Sequence, residues 1–441
     1  MNRLAILLTI VFLSCASCTV HPAGEQDERH RAAVEGQRYM MRPEDRSQPS
    51  LPANPSRDEL VQYADLASPE LEQRFWEWKA AIEQIPQDGT QPTNLVLYAN
   101  VPLTHGSTAF NRTVLTAAND PMADIQWPSK PTTAARRALQ EARVAGLRFQ
   151  QAKRDLRQKV LGIYADYAAT AQLLRLEKIN AQLLATIASV AQAGVPSGKT
   201  AQPVAMNARN EVELSKNRIA ELDAKMGQLR AALNAAIGRE PEAVLSLPPS
   251  LPPLRRANFV SSTLLKLISE RSIELASLDA DEQARDDGLK LAKLQYVPDF
   301  SLSASTDLGG AVQNLMGMVT VPLLRYQAID AAIAQAEANL RKIDSMRRQT
   351  AIDLRSRIVG DVAMLDQLQR QAISLESIVI PRAQAIAQLD QSIFEIGGTP
   401  LMTIVDAQRS LIELRRLDVN IRSAYETTVL DIENVVGPIV N

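Results

Sequence analysis

The strongest constraint in this sequence is a turn that occurs twice. At 377–417 an apolar-periodic run ends at Phe394-Glu395-Ile396, turns on Gly397-Gly398-Thr399-Pro400 and resumes as a second helical run. Glycine supplies positive φ just past a helix and proline fits the first turn of the next, so the pattern predicts a helical hairpin tip. Ala193-Gly194-Val195-Pro196-Ser197-Gly198 repeats the device, and Gly397 follows Gly198 by 199 residues. Ile237-Gly238 and Val436-Gly437 share that offset, as do Asn207-Ala208-Arg209 and Asp406-Ala407-Gln408. A repeat of this period predicts two structurally equivalent halves.

Each half reads as helix, strand, loop, strand, long helix, tip, helix. The run from 132 to about 192 contains no proline, which at 1.5 Å per residue allows roughly 90 Å of helix. In the second half, Ile329, Ile333, Ala336, Leu340 and Ile343 are followed by Leu354, Ile358, Val362, Leu365, Leu368, Ala372, Leu375 and Val379. Steps of four and three sustained over that many turns predict a coiled-coil seam, interrupted at Arg347 and Thr350. Aromatic residues are only 4% of the chain and much of the apolar content is Ala, a composition suited to close helix–helix packing. Alternation predicts strands: Leu95, Leu97, Ala99, Val101 and Leu103 share one face, then Phe300, Leu302, Ala304, Thr306 and Leu308, then Leu315, Gly317, Val319, Val321 and Leu323. A weaker extended piece ends at Trp127-Pro128.

The expected organisation is a signal over 1–17, a polar tether over 18–55, a first repeat over 56–238, a Pro-rich linker over 239–256 and a second repeat over 257–437. Strands are expected at about 95–103, 113–128, 299–308 and 314–323, with tips near 198 and 397. The start has a basic Arg3 and an apolar run from Leu4 to Leu13, too short to span a bilayer as a helix. It ends in small residues and cysteine and resembles the bacterial lipoprotein signal. That resemblance implies a covalent lipid on Cys18, with Cys15 the alternative, and the absence of a following Asp points to the outer membrane. No other cofactor is expected.

Net charge is −2, which offers no basic face for nucleic acid. His21 and His30 lie in the N-terminal stretch and His105 in a loop, without metal-ligand spacing. Met316 and Met318 alternate on one strand, where lining a barrel or facing lipid is the ordinary role of such residues. No Ser/His/Asp set or paired carboxylates point to an enzyme.

Four strands per chain match the length that crosses a bilayer when tilted but are too few to close a barrel, so oligomerisation is expected. Pro381 with Ala383 and Ala387, Phe394 three residues before Gly397, Ile404-Val405-Asp406-Ala407-Gln408, Val319-Thr320-Val321-Pro322-Leu323 and Ile237-Gly238 with Pro241 together resemble the TolC-like outer-membrane efflux factors, in their lipoprotein branch. The resemblance implies a homotrimer, a twelve-stranded β-barrel continued by an α-helical coiled-coil tunnel. It would pass substrates outward through outer-membrane lipid and dock at its periplasmic end to an adaptor protein and an inner-membrane pump. It also places the closed end at the tips, at Gly198, Phe394, Gly397, Thr399, Thr403 and Asp406. Here Phe394 lacks a hydroxyl, while Thr399 and Thr403 stand where the family has a basic and an acidic residue. Asp406 is either an axial acid or a solvated residue paired within its own chain. A periplasmic adaptor lipoprotein would need one hairpin flanked by β-rich modules. A purely structural coiled-coil protein would leave the membrane-length strands unexplained.

Overall fold

The computed structural model describes residues 19–438 apart from 43–44, 47–49, 53, 105–106, 109–111, 121, 199, 248–250, 252–253, 255–258, 309–312 and 396–399. The described helices are α1 (Glu25–Glu35), α2 (Arg57–Ala67), α3 (Pro69–Asp88), α4 (Ser129–Gly194), α5 (Gln202–Ala236), α6 (Ser261–Arg271), α7 (Ile273–Leu294), α8 (Tyr326–Ser374), α9 (Ile380–Glu395) and α10 (Leu401–Val436). The strands are β1 (Leu95–Asn100), β2 (Leu103–Thr104), β3 (Ser107–Thr108), β4 (Val114–Asn119), β5 (Asp299–Asp307) and β6 (Gln313–Thr320). The fold is mainly helical with a small β part, as the sequence predicts. Its residues form two compact units: 1–43, 72–150 and 273–351 in one, 44–71, 151–272 and 352–441 in the other.

The first unit holds the sheet, in the order β1-β4-β5-β6 with every pair antiparallel. Directly opposed residues share a face, so the register decides what each side of the sheet carries. Leu97 opposes Ala117, which opposes Ala304, which opposes Leu315. Leu115 opposes Ala99 and Thr306, Leu302 opposes Gly317, and Phe300 opposes Val319. The three apolar alternations therefore fall on one common face. The other face carries Thr116, Ser301, Ser303, Ser305, Asn314 and Thr320 among Val96, Tyr98, Met316 and Met318. β4 ends earlier than its hydropathy suggests. At Asn119 the side chain replaces the ladder, its Oδ1 accepting from the Leu302 N–H at 2.8 Å; the next described pairing with β5 is the bridge of Ile125 to Phe300.

The core of this unit is aromatic. Phe75, Trp78, Ile82 and Ile85 occupy one stripe of α3, all fully buried, at the spacing of a single helix face. Trp78 stacks on Phe149 of α4 with centroids 5.7 Å apart. The stretch expected to be a tether supplies α1 to this core. Glu28 of α1 accepts from Trp78 Nε1 at 2.9 Å, and Arg29 bridges Glu25 and Glu83 at 2.8 and 3.1 Å. The tether reading fails over Glu25–Glu35 because the segment docks through the buried, hydrogen-bonded carboxylates of Glu25 and Glu28 together with Ala32. Hydropathy does not register such pairs. Arg347, which interrupts the long seam, pairs with Asp279 of α7.

The second unit is all helix. Ala188, Ala191, Ala205 and Ala208 form the contact between the end of α4 and the start of α5, with Val195 and Val212 against them. Leu354, Ile358, Val362, Leu365, Leu368, Ala372 and Leu375 are buried along α8, following the predicted steps. A π-helical turn at Leu375–Val379 then joins α8 to α9. Pro381 explains its place: proline lacks an N–H and its ring would clash with the carbonyl four residues back, which a widened turn relieves.

The halves also share a helix break, marked by Pro69 in the first half and by no proline or glycine in the second. Ser68 separates α2 from α3 with φ −69° and ψ 120°, and Ser272 separates α6 from α7 with φ −68° and ψ 116°. Two helices, α6 and α7, therefore precede β5. Pro86 lies within the last turn of α3. Gly238 and Gly437 end the two returning helices, with φ 74° and 87°. A Cβ on Gly238 would lie 2.5 Å from the Ala67 carbonyl oxygen. Gly238→Ala should therefore lower stability by about 1–3 kcal/mol, read as a drop in unfolding midpoint. Gly227→Ala, in open space within α5, should be neutral or stabilising.

Candidate functional site: the helical tips and a buried carboxylate

The first tip closes tightly after α4. Gly198 takes φ 68°, its N–H donates to the Val195 carbonyl at 3.1 Å, and the Thr200 N–H donates to the Gly194 carbonyl at 3.2 Å. Ser197 Oγ adds a bond to the same Gly194 carbonyl at 3.1 Å. Pro203 then sits in the first turn of α5, where its missing N–H costs nothing. At the second tip Gly397 and Thr399 lie outside the described residues. Phe394 is half-buried near the end of α9, and Pro400 precedes α10 in an extended conformation.

Thr403 is exposed. The Asp406 side chain is 64% exposed and 3.6 Å from Arg409, which also reaches Glu211 of α5 at 2.9 Å. Asp406 is thus paired within its own chain, one of the two arrangements the sequence allows, and Arg409 ties the returning helices of the two hairpins to each other. Ile404 and Val405 turn inward and are buried. Among the described tip residues, Asp406 has its partner at Arg409, while Gly198 serves the turn of the other hairpin.

A second tie, farther from the tips, is not evident from motifs. Glu177 of α4 is fully buried. Ser215 Oγ of α5 donates to it at 2.6 Å, Asn180 Nδ2 at 3.2 Å, and Arg416 of α10 binds its other oxygen. Arg218 stands 3.8 Å away. Burial pushes the Glu177 carboxyl up, but the bonds from Ser215 and Arg416 outweigh it and hold the carboxyl below its ordinary value. Three helices from both hairpins converge on one carboxylate. The signal for it was present: Glu177 occupies a seam position in the buried series Leu174, Glu177, Leu184, Ala188, Ala191. A charge in such a position is stable only when paired.

His21 bonds Glu25 at 2.9 Å, and His105 lies outside the described residues, as do Cys15 and Cys18. Among the described residues no group of three or more His, Cys, Asp or Glu comes together. None of the helices searched among the described residues is long and apolar enough to cross a membrane. On the sheet Leu97 is 74% exposed, Leu315 61% and Val319 64%, all on the apolar face.

Two long helical hairpins and a four-stranded sheet with an exposed apolar face define the outer-membrane efflux channel fold. Residues 264–438 match the family model described as "Outer membrane efflux protein". The cation efflux system protein CusC of Escherichia coli (strain K12) is 21% identical over 245 residues, an alignment covering 52% of this chain and 52% of CusC. The chain thus spans about half the length of the curated relatives it matches. In fold it is similar to the outer membrane protein VceC of Vibrio cholerae, with a TM-score of 0.74 at 17% identity, covering 86% of this chain and 96% of VceC. It is likewise similar to the MtrE outer membrane channel of Neisseria gonorrhoeae, with a TM-score of 0.71 at 14% identity, covering 90% and 94%.

Proposed function

We propose that the protein is the outer-membrane channel of a tripartite efflux or type I secretion system, conducting substrates passively from a periplasmic adaptor and inner-membrane pump to the exterior. The carrying observation is the sheet. Its apolar face is exposed, and both β1 and β6 have an edge that no other described strand covers. In lipid such edges leave backbone groups unsatisfied unless the sheet closes. Three copies supply twelve strands, an even number within the range of outer-membrane barrels. The hairpins then continue the barrel as a periplasmic helical tunnel, and α4 alone, with 66 residues, is roughly 100 Å long.

In this reading the tips ring the periplasmic mouth. Gly198 and Gly397 make the turns, and Phe394, Thr399, Thr403 and Asp406 face the constriction or the adaptor. The Glu177 and Arg409 ties hold the returning helices together behind them. The anchor is a lipid on Cys18, or on Cys15, in the outer membrane of a Gram-negative-type bacterium. No catalytic step is involved; the cargo is set by the pump.

The purified chain should run as a heat-modifiable trimer and open stable conductance steps in planar bilayers. A monomer that remains soluble and non-conducting once the lipid is removed would overturn the channel reading in favour of a structural coiled-coil protein.

A further inference from the structure

A cavity of about 190 Å³ lies in the helical unit, lined by Arg154 and Arg157 of α4 with Asp65, Lys153, Glu433 and Asn434. The two arginines are three residues apart, which puts them on one face of the helix. Neither has a carboxylate within ion-pair distance among the described residues. Arg154 donates only to backbone carbonyls, those of Arg271 at 3.3 Å and Val435 at 3.4 Å. Arg157 has a buried Nε with no acceptor. Asp65 and Lys153 hold interactions of their own, and Glu433 lines the cavity without reaching either arginine. Several other arginines packed into this unit are neutralised: Arg57 by Glu426 at 3.0 Å, Arg422 by Asp418 at 3.0 Å, Arg416 by Glu177. Arg415 bonds the neutral Gln384, whereas Arg154 and Arg157 stand together beside an open cavity.

Leaving a half-buried cation without a counter-charge is costly, and an anion entering the cavity removes that cost. Guanidinium groups present planar forks of donors that match the oxygens of a tetrahedral oxyanion. Burial also pushes the Arg154 guanidinium down from its ordinary value, consistent with a charge that lacks its partner. We infer that this cavity is a binding site for a small oxyanion of the phosphate type, held between Arg154 and Arg157. The inference does not depend on the channel reading, because it concerns the helical unit alone.

The test is thermal unfolding of the full chain in neutral detergent, titrated with sodium phosphate against sodium chloride at matched ionic strength. Phosphate should raise the midpoint saturably, by roughly 2–4 °C at ten times its Kd. Arg157→Gln should abolish the rise, and Arg157→Lys, which keeps charge but loses the fork, should weaken binding about tenfold. Arg348→Gln, removing an exposed arginine that pairs with Asp344 on α8, should leave the rise intact. In chloride alone Arg157→Gln should unfold no earlier than the unaltered chain. No saturable rise, a rise that survives Arg157→Gln, or an early-unfolding Arg157→Gln in chloride would each overturn the site. Stabilisation by phosphatidylglycerol micelles without any by inorganic phosphate would do the same, assigning the arginines to a lipid headgroup.

Discussion

Glu177→Ala should lower the stability of the helical unit by about 3–5 kcal/mol, because it strips the charge partner from Arg416 and the acceptor from Ser215 inside a closed helical interface. Arg416 keeps Glu413 at 2.6 Å, but Glu413 is on its own helix and mostly exposed, so it does not replace a tie to α4. Glu177→Gln keeps the shape and one acceptor and should cost about 1–3 kcal/mol. Denaturant midpoints measure both. The pH dependence has a fixed sign. The folded carboxyl lies below its ordinary value of 4.5, so its contribution is fully present above that value and is lost as pH falls through the lowered folded value. Glu177→Gln should flatten that acid limb; an acid limb unchanged by the substitution would mean that the carboxylate contributes nothing through its charge. In the channel reading the same substitution should loosen the second hairpin and raise the conductance of the closed state.

Arginine on the two faces of β5 should give opposite results. Leu302 lies on the apolar face and Ser303, its neighbour, on the polar face. In the channel reading, an arginine facing hydrocarbon near the middle of a barrel strand costs about 2–4 kcal/mol, and a trimer would bear it three times. Leu302→Arg should therefore remove the protein from the outer-membrane fraction and abolish the heat-modifiable band. Ser303→Arg should remain inserted and change only conductance and ion selectivity, since its guanidinium enters a water-filled lumen. Insertion of Leu302→Arg with failure of Ser303→Arg would mean that the faces are reversed.

Which features were legible follows from which physical signals are local. The Gly198 turn, the long α4 and the seam from Leu354 to Leu375 are consequences of helix geometry and glycine conformation, and their residues announce them. The strands were legible one at a time, through alternation at Leu95, Phe300 and Leu315. Where the local pattern was interrupted, the reading went wrong for definite reasons. Asn119 ends β4 by substituting a side-chain bond for a ladder bond. Glu25 and Glu28 bury α1 through carboxylate pairs within a stretch too polar to predict a core contact. Ser272 breaks a helix with neither glycine nor proline beside it.

By itself the sequence determined the duplication, the long hairpins and the apolar alternation of each strand, because helix and strand periods are fixed by backbone geometry. Only the tertiary structure decided that the separate apolar alternations share one face, since register is a relation between strands and not a property of any one. It likewise decided that Arg409 reaches Glu211 and that Glu177 meets Arg416. Those partners lie on different helices, and electrostatic pairing depends on distance in space, which sequence spacing alone does not give.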